Sequence, residues 1–356
     1  MTEAEDHVAG NHRNAFILLA LGGAVLACFG IAALGSIIAP VFLAMILTIC
    51  MHPLRVWLER HRVPRGIATG AVILAVVVLL VGFGYAVLVA FGQFSALLPQ
   101  FADQIAGFGE EAVAWLKSVG ISSRELNALI ADFDPSVLVD FVGGLIGGLA
   151  GIGSALVILL TIALLLGMDA GHVATVLAQT SKTHPLVVTS MSAYAANVRR
   201  YMVATTLLGL AQGVIDFVAL VLLGVPGAFI WGLLAFLCSF IPNIGYFVAI
   251  IPPIVFGALV GGWPTVIAVI VVYAVINAIV QSVIQPRVIG NAVSLSQTIT
   301  FFSVLFWAVI LGPIGAILAI PLTLLVRLVL VDTYPPAGWV RPLLGDLRGA
   351  GKGRAL

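Results

Sequence analysis

The chain has 356 residues, of which 62% are hydrophobic and only 9% charged, with a formal net charge of +1. A soluble domain carries about 25% charged residues, so this composition excludes an ordinary water-coated fold. The near-neutral balance offers no basic face to nucleic acid. Cys28, Cys50 and Cys238 lie in apolar runs, outside any disulfide framework or CxxC metal pair.

Asp, Glu, Lys and Arg are missing from Asn14 to Leu54, Gly66 to Ala102, Phe141 to Met168, Phe217 to Pro286 and Val288 to Val326. A membrane helix takes about 20 apolar residues. The stretches therefore predict an all-α integral membrane protein with about eight membrane helical elements. The acidic head, Met1 to Asn11, and the length of the first run argue against a removable signal peptide.

Residues 1–92 read as an N-terminal tail and three spans, near Ala15–Leu34, Ile37–Pro53 and Ile67–Phe91. Between the second and third lie Arg55, Arg60, Arg62 and Arg65, opposed only by Glu59. Short loops rich in Lys and Arg stay cytoplasmic, which places the N-terminus in the cytoplasm too. Residues 93–140 carry Asp103, Glu110, Glu111, Glu125, Asp132, Asp134 and Asp140 against Lys117 and Arg124. Leu97, Leu98, Phe101, Ile105 and Phe108 recur there at helical spacing, and Ser122 with Glu125 reads as a capping box. This segment is expected to be a small external amphipathic helical subdomain.

Residues 141–332 read as a C-terminal membrane domain with broken helices. A fourth span near Val142–Met168 carries Gly143, Gly147 and Gly151 four apart, a spacing that lets helices approach closely in lipid. Asp169 to Arg200 returns to the cytoplasm, and a fifth span covers Tyr201–Leu223. Beyond it the apolar run is interrupted at Ile241–Gly245, at Pro252-Pro253 and at Gly261–Pro264. At about 1.5 Å per residue, the piece Ala228–Phe240 is too short to cross alone. After a full span at Thr265–Ile284 the pattern recurs: Thr298–Leu311, a break at Gly312–Gly315, then Ala316–Val331. Two short arms around a Gly/Pro break, twice over, predict a pair of re-entrant hairpins, against two kinked full crossings. Such broken helices point to a transporter's binding site. With hairpins, Arg287 and the 333–356 tail are cytoplasmic.

Several of these motifs, taken together, resemble one family. Pro53-Leu54 through Val63-Pro64-Arg65, Phe240–Gly245, Ile251-Pro252-Pro253, Gln285–Gly290 with Leu295, and Gly312–Gly315 with Ile320-Pro321-Leu322 are similar to the autoinducer-2 exporter family of bacterial permeases. The resemblance implies about eight membrane helices, a homo-oligomer in the bacterial inner membrane, and secondary transport. Its members are linked to export of autoinducer-2 or to sodium or lithium exchange against protons. Asp216 departs from the small residue the resemblance leads one to expect there.

The candidate pathway residues are few. Asp216 is the only carboxylate well inside a predicted span, with Gln212 one turn earlier on its face. Such a residue either takes up a proton or cation during transport or only pairs with a buried donor such as Arg327. Asn277, Gln281 and Gln285 form a stripe at fourfold spacing, able to bond a polar solute or merely a neighbouring helix. Arg287 could draw an anion to the cytoplasmic mouth or anchor the turn, and Arg327 is expected to snorkel to the surface. Asn243 and Gly245 at one tip, and Gly312 and Gly315 at the other, permit tight turning beside a ligand.

No Walker A loop, GxSxG or HExxH motif occurs, so neither an enzyme, a cofactor nor a metal site is expected. The expected partners are the lipid bilayer, a small polar solute, protons or sodium, and further copies of the chain. A sodium or lithium/proton antiporter is one alternative to a solute permease; a non-transporting membrane partner is another.

Overall fold

The computed structural model describes residues 2–118, 136–289 and 295–345. Among them every regular element is helical and no strand occurs. In chain order the helices are α1 (Thr2–Ala33), α2 (Gly35–Arg60), α3 (Arg65–Ser118), α4 (Ser136–Thr183), α5 (Pro185–Leu222), α6 (Ala228–Cys238) and α7 (Gly245–Ala278). A π-helical stretch, Ile279–Ile284, joins α7 to the short α8 (Gln285–Ile289). The chain then runs through α9 (Gln297–Ile317), α10 (Ala319–Arg327), a second π-helical stretch at Leu328–Asp332 and a 3-10 turn at Pro335–Val340. Five of these helical stretches are long and apolar enough to cross a membrane: Gly35–Arg60, Arg65–Phe101, Pro185–Leu222, Gly245–Val288 and Gln297–Ile317. Shorter apolar helices lie at Leu18–Ala33, Val157–Asp169 and Ala228–Cys238.

The three largest apolar clusters among the described residues hold much of the bundle together. Ala44 of α2, Val76 and Leu80 of α3, and Leu159 and Ala163 of α4 form one. A second joins Leu220 of α5 to Trp231 of α6 and to Ile250, Phe256, Val269 and Tyr273 of α7. The third gathers Ile46, Val198, Tyr201, Phe240, Trp307, Leu318 and Leu322 around the end of the chain.

Several expected boundaries move. The third span does not stop near residue 92, because α3 continues unbroken through Pro99 to Ser118. Its 54 residues are more than twice what a hydrocarbon core requires. Phe94, Leu97 and Phe101 pack against the cluster of α6 and α7, with Phe94 edge-on to Trp231 and Phe101 edge-on to Phe256. Aromatic contacts thus hold this part of 93–140 against the membrane helices. The Ser122–Glu125 capping box lies outside the described residues, as does the packing around Gly143, Gly147 and Gly151. The predicted loop from Asp169 to Arg200 is helical: α4 runs to Thr183 and α5 begins at Pro185, with only His184 between. Proline at a first helical position has no hydrogen bond to lose, and polar residues by themselves do not end a helix. Pro252-Pro253 likewise does not break α7. The pair instead removes two helical donors, freeing the carbonyls of Val248 and Ala249.

The chain doubles back where glycine allows it. Gly262 (φ 61°, ψ −156°) and Gly312 (φ 69°, ψ −154°) share one conformation, in a region open essentially to glycine alone. Each ends the same pattern, Phe-x-Ala-x-x-x-Gly, at Phe256–Gly262 and Phe306–Gly312, with proline close behind. After Gly262 the second arm of α7 returns along the first, so Gly257 faces Thr265 and Val269. After Gly312 the chain folds onto α9. There Gly315 lies against the Trp307 carbonyl, and Trp307 Nε1 donates to Thr323 Oγ1 at 3.0 Å. A third reversal joins α6 to α7 through 239–244, where Gly245 lies against the Cys238 carbonyl.

Arg327 pairs with Asp332 at 3.3 Å, and Arg341 reaches the same carboxylate at 3.0 Å. The pairing of Arg327 with Asp216 considered from sequence is therefore not made. Asp332→Asn removes the charge on which both guanidinium groups converge. The expected cost is about 2 kcal/mol, read as a lower melting temperature of the detergent-purified protein.

Candidate functional site

A cavity of about 230 Å³ opens where the α6–α7 turn meets α5, the end of the second α7 arm and the start of α9. Each wall has a local cause. Thr205, Gly209 and Gln212 lie on one face of α5, at three- and four-residue steps. Ser239, Pro242, Asn243 and Gly245 come from the turn, where Asn243 adopts φ 65°. Asparagine is among the few non-glycine residues that enter this left-handed region readily. Gln297 and Thr300 come from the first turn of α9, whose Ser296 Oγ caps the helix by accepting from the Ile299 N–H at 3.3 Å.

Asn277, Gln281 and Gln285 all line the cavity. A fourfold repeat drifts around an α-helix of 3.6 residues per turn. The π-helical stretch Ile279–Ile284, closed by wider i→i+5 bonds, offsets that drift and keeps the three amides on one side.

Of the residues singled out from sequence, Gln212, Asn243, Gly245, Asn277, Gln281 and Gln285 thus converge on one space. The others do not. Gly312 and Gly315 shape the α9–α10 reversal and lie off the cavity. Arg287 is exposed on α8, where the neighbouring Val288 carbonyl accepts from Arg200 Nε at 3.2 Å. Asp216 is fully buried one turn beyond Gln212, behind the cavity wall. Thr205, Ser239, Tyr246, Gln297 and Thr300 were not anticipated as lining residues. Ser296 ahead of an apolar run signals a helix start, and that signal could have found Gln297 and Thr300.

Among the described residues the lining carries no Asp, Glu, Lys, Arg or His. Its chemistry is that of amides, hydroxyls and backbone, together with two helix N-termini, those of α7 at Gly245 and of α9 at Gln297. Helix N-termini carry partial positive charge, so the space suits oxygen-rich groups better than a metal cation. The Pro253-freed carbonyl belongs to Ala249, another lining residue. Unpaired backbone of this kind is tolerated in a membrane only beside protein or a cavity.

A polytopic helical membrane protein built of broken helices around an uncharged polar cavity is the class these features define. Residues 15–334 match the family described as "AI-2E family transporter", and the chain belongs to that family of membrane transporters. It is 29% identical to the AI-2 transport protein TqsA of Escherichia coli K12 over 335 residues, 93% of this chain and 96% of that protein. It is 28% identical over 310 residues to the E. coli K12 protein named "Putative transport protein YhhT", covering 86% and 88% of the two.

Proposed function

We propose that this chain is a secondary transporter that moves a small, uncharged, oxygen-rich solute through the cavity by alternating access. The observation that carries this reading is a lining of amides, hydroxyls and two helix N-termini, with no carboxylate or basic side chain among the described residues. A cation exchanger would want anionic oxygens in that space; a polar solute wants neutral donors and acceptors. The name of the E. coli relative TqsA makes autoinducer-2 the first solute to try.

The α6–α7 and α9–α10 reversals are read as two hairpins entering the membrane without crossing it. Phe240, Ile241 and Ile244 of the first tip share a cluster with Leu311, Ala316 and Leu318 of the second. The basic residues from Arg55 to Arg65 support a reading in which that loop, and both termini, face the cytoplasm. Assembly of several copies in the bacterial inner membrane belongs to the same reading.

The test is uptake of labelled autoinducer-2 into vesicles holding the purified protein. Protein-dependent flux is expected, and its absence would remove autoinducer-2 as the solute. Movement of the second hairpin is tested by joining it to α2. In a background without the native cysteines, Gly35→Cys and Ile310→Cys bring two thiols to a site where a Cβ added at Gly35 would lie 3.5 Å from the Ile310 carbonyl oxygen. The oxidised pair should lose flux and regain it on reduction. Full flux in the cross-linked protein would sink the moving hairpin.

A further inference from the structure

Asp216 is the anomaly of this structure. Its carboxyl is 0% exposed, and neither oxygen has a hydrogen bond of good geometry among the described residues. Gln212 faces it from one turn earlier on α5. The two arms of α7 bring Tyr246 and Tyr273 into its electrostatic reach, and Cys238 at the end of α6 lies near Tyr273. The Tyr273 hydroxyl is itself buried, with no hydrogen-bond partner among the described residues. Among the described residues no charged side chain acts on Asp216.

Four partners for that carboxyl can be weighed. An ion pair is disfavoured, since no cation faces the carboxyl among the described residues. A metal ion needs several oxygen ligands at once, and no group of three or more His, Cys, Asp or Glu side chains stands together among the described residues. The solute is ruled out because Asp216 does not line the cavity. A proton needs one oxygen and no volume. It also relieves the cost of burying a bare carboxylate, several kcal/mol, and turns an acceptor-only group into a donor that Gln212 or Tyr273 can accept from.

We propose that Asp216 is a proton-binding site, separate from the solute cavity, and that it holds its proton in this conformation. When the α6–α7 hairpin leaves α5, water reaches the carboxyl and the acid O–H bond breaks. The electron pair stays on the carboxylate and the proton passes to water. Gln212 links the two sites, because it lines the cavity and faces the acid one turn away. The inference rests on the transport reading and names its coupling ion as the proton rather than sodium.

The test reads the acid itself. Infrared difference spectra of wild type minus Asp216→Asn, purified in detergent at neutral pH, should show a carboxylic acid C=O band. That band should persist when potassium is exchanged for sodium or lithium. Absence of the band, or its loss on adding sodium, would overturn the proposal. Should the variant fail to assemble, wild type grown with ¹³C-carboxyl aspartate gives the same reading through an isotope-shifted band. Missing autoinducer-2 flux with the band present would strike the choice of solute alone. Flux without the band would strike the proton site alone.

Discussion

Gly315→Ala should cost the detergent-purified protein about 3 kcal/mol of stability, the upper end of what overpacking a core exacts. A Cβ at Gly315 would meet the Trp307 carbonyl oxygen, and Leu311 Cβ lies on the other side at 2.7 Å. The first obstacle is backbone, so no side-chain rotation relieves it. The α9–α10 reversal would have to open, taking with it the Trp307–Thr323 hydrogen bond. Gly245→Ala should behave alike, because its Cβ would meet the Cys238 carbonyl in the other reversal. Gly338→Ala is the control, since nothing lies within 4 Å of its Cβ position. Thermal melts of the three variants settle the matter. A Gly315→Ala protein as stable as Gly338→Ala would mean that the close approach does not hold the hairpin.

Gln281→Leu should lower autoinducer-2 transport at least tenfold, equivalent to about 1.4 kcal/mol. The leucine fills a similar volume but neither donates nor accepts, so a solute group that bonded the amide is left desolvated and unpaired. The loss should fall on the concentration dependence of uptake and leave the melting temperature near that of wild type. Val283→Leu, two residues away with Val283 43% exposed and off the cavity, should transport normally. Equal uptake by Gln281→Leu and wild type would show that the solute does not use this wall.

Much of the site was legible because its signals are local. The Gly/Pro interruptions at 241–245 and 312–315 mark real reversals, and the spacing of Asn277, Gln281 and Gln285 put three amides on one wall. What the sequence withheld depends on side-chain contacts that no local pattern announces. Arg327 pairs with Asp332, a nearby residue in a π-helical turn that no apolar periodicity announces. That α3 runs on past residue 92 was hidden because a charged, amphipathic stretch reads the same whether it is a separate surface helix or the end of a spanning one. Phe94, Leu97 and Phe101 decide between the two by packing on α6 and α7. The position of Asp216 behind the cavity turns on height along α5 and not on face: Gln212 and Asp216 share a helix face, but only Gln212 lines the cavity.

The shortness of α6 bears on how the chain is made. Its 11 residues rise about 16 Å, roughly half of a 30 Å hydrocarbon core. A nascent chain that has emerged only as far as Ser239 therefore cannot leave α6 stably in lipid on its own. Insertion has to wait for α7 to supply the returning arm. The segment from Pro185 to Ala278 would then enter the bilayer as one cooperative unit, not helix by helix, and would depend most on a membrane insertase while Gly245 and the arm behind it are still inside the ribosome.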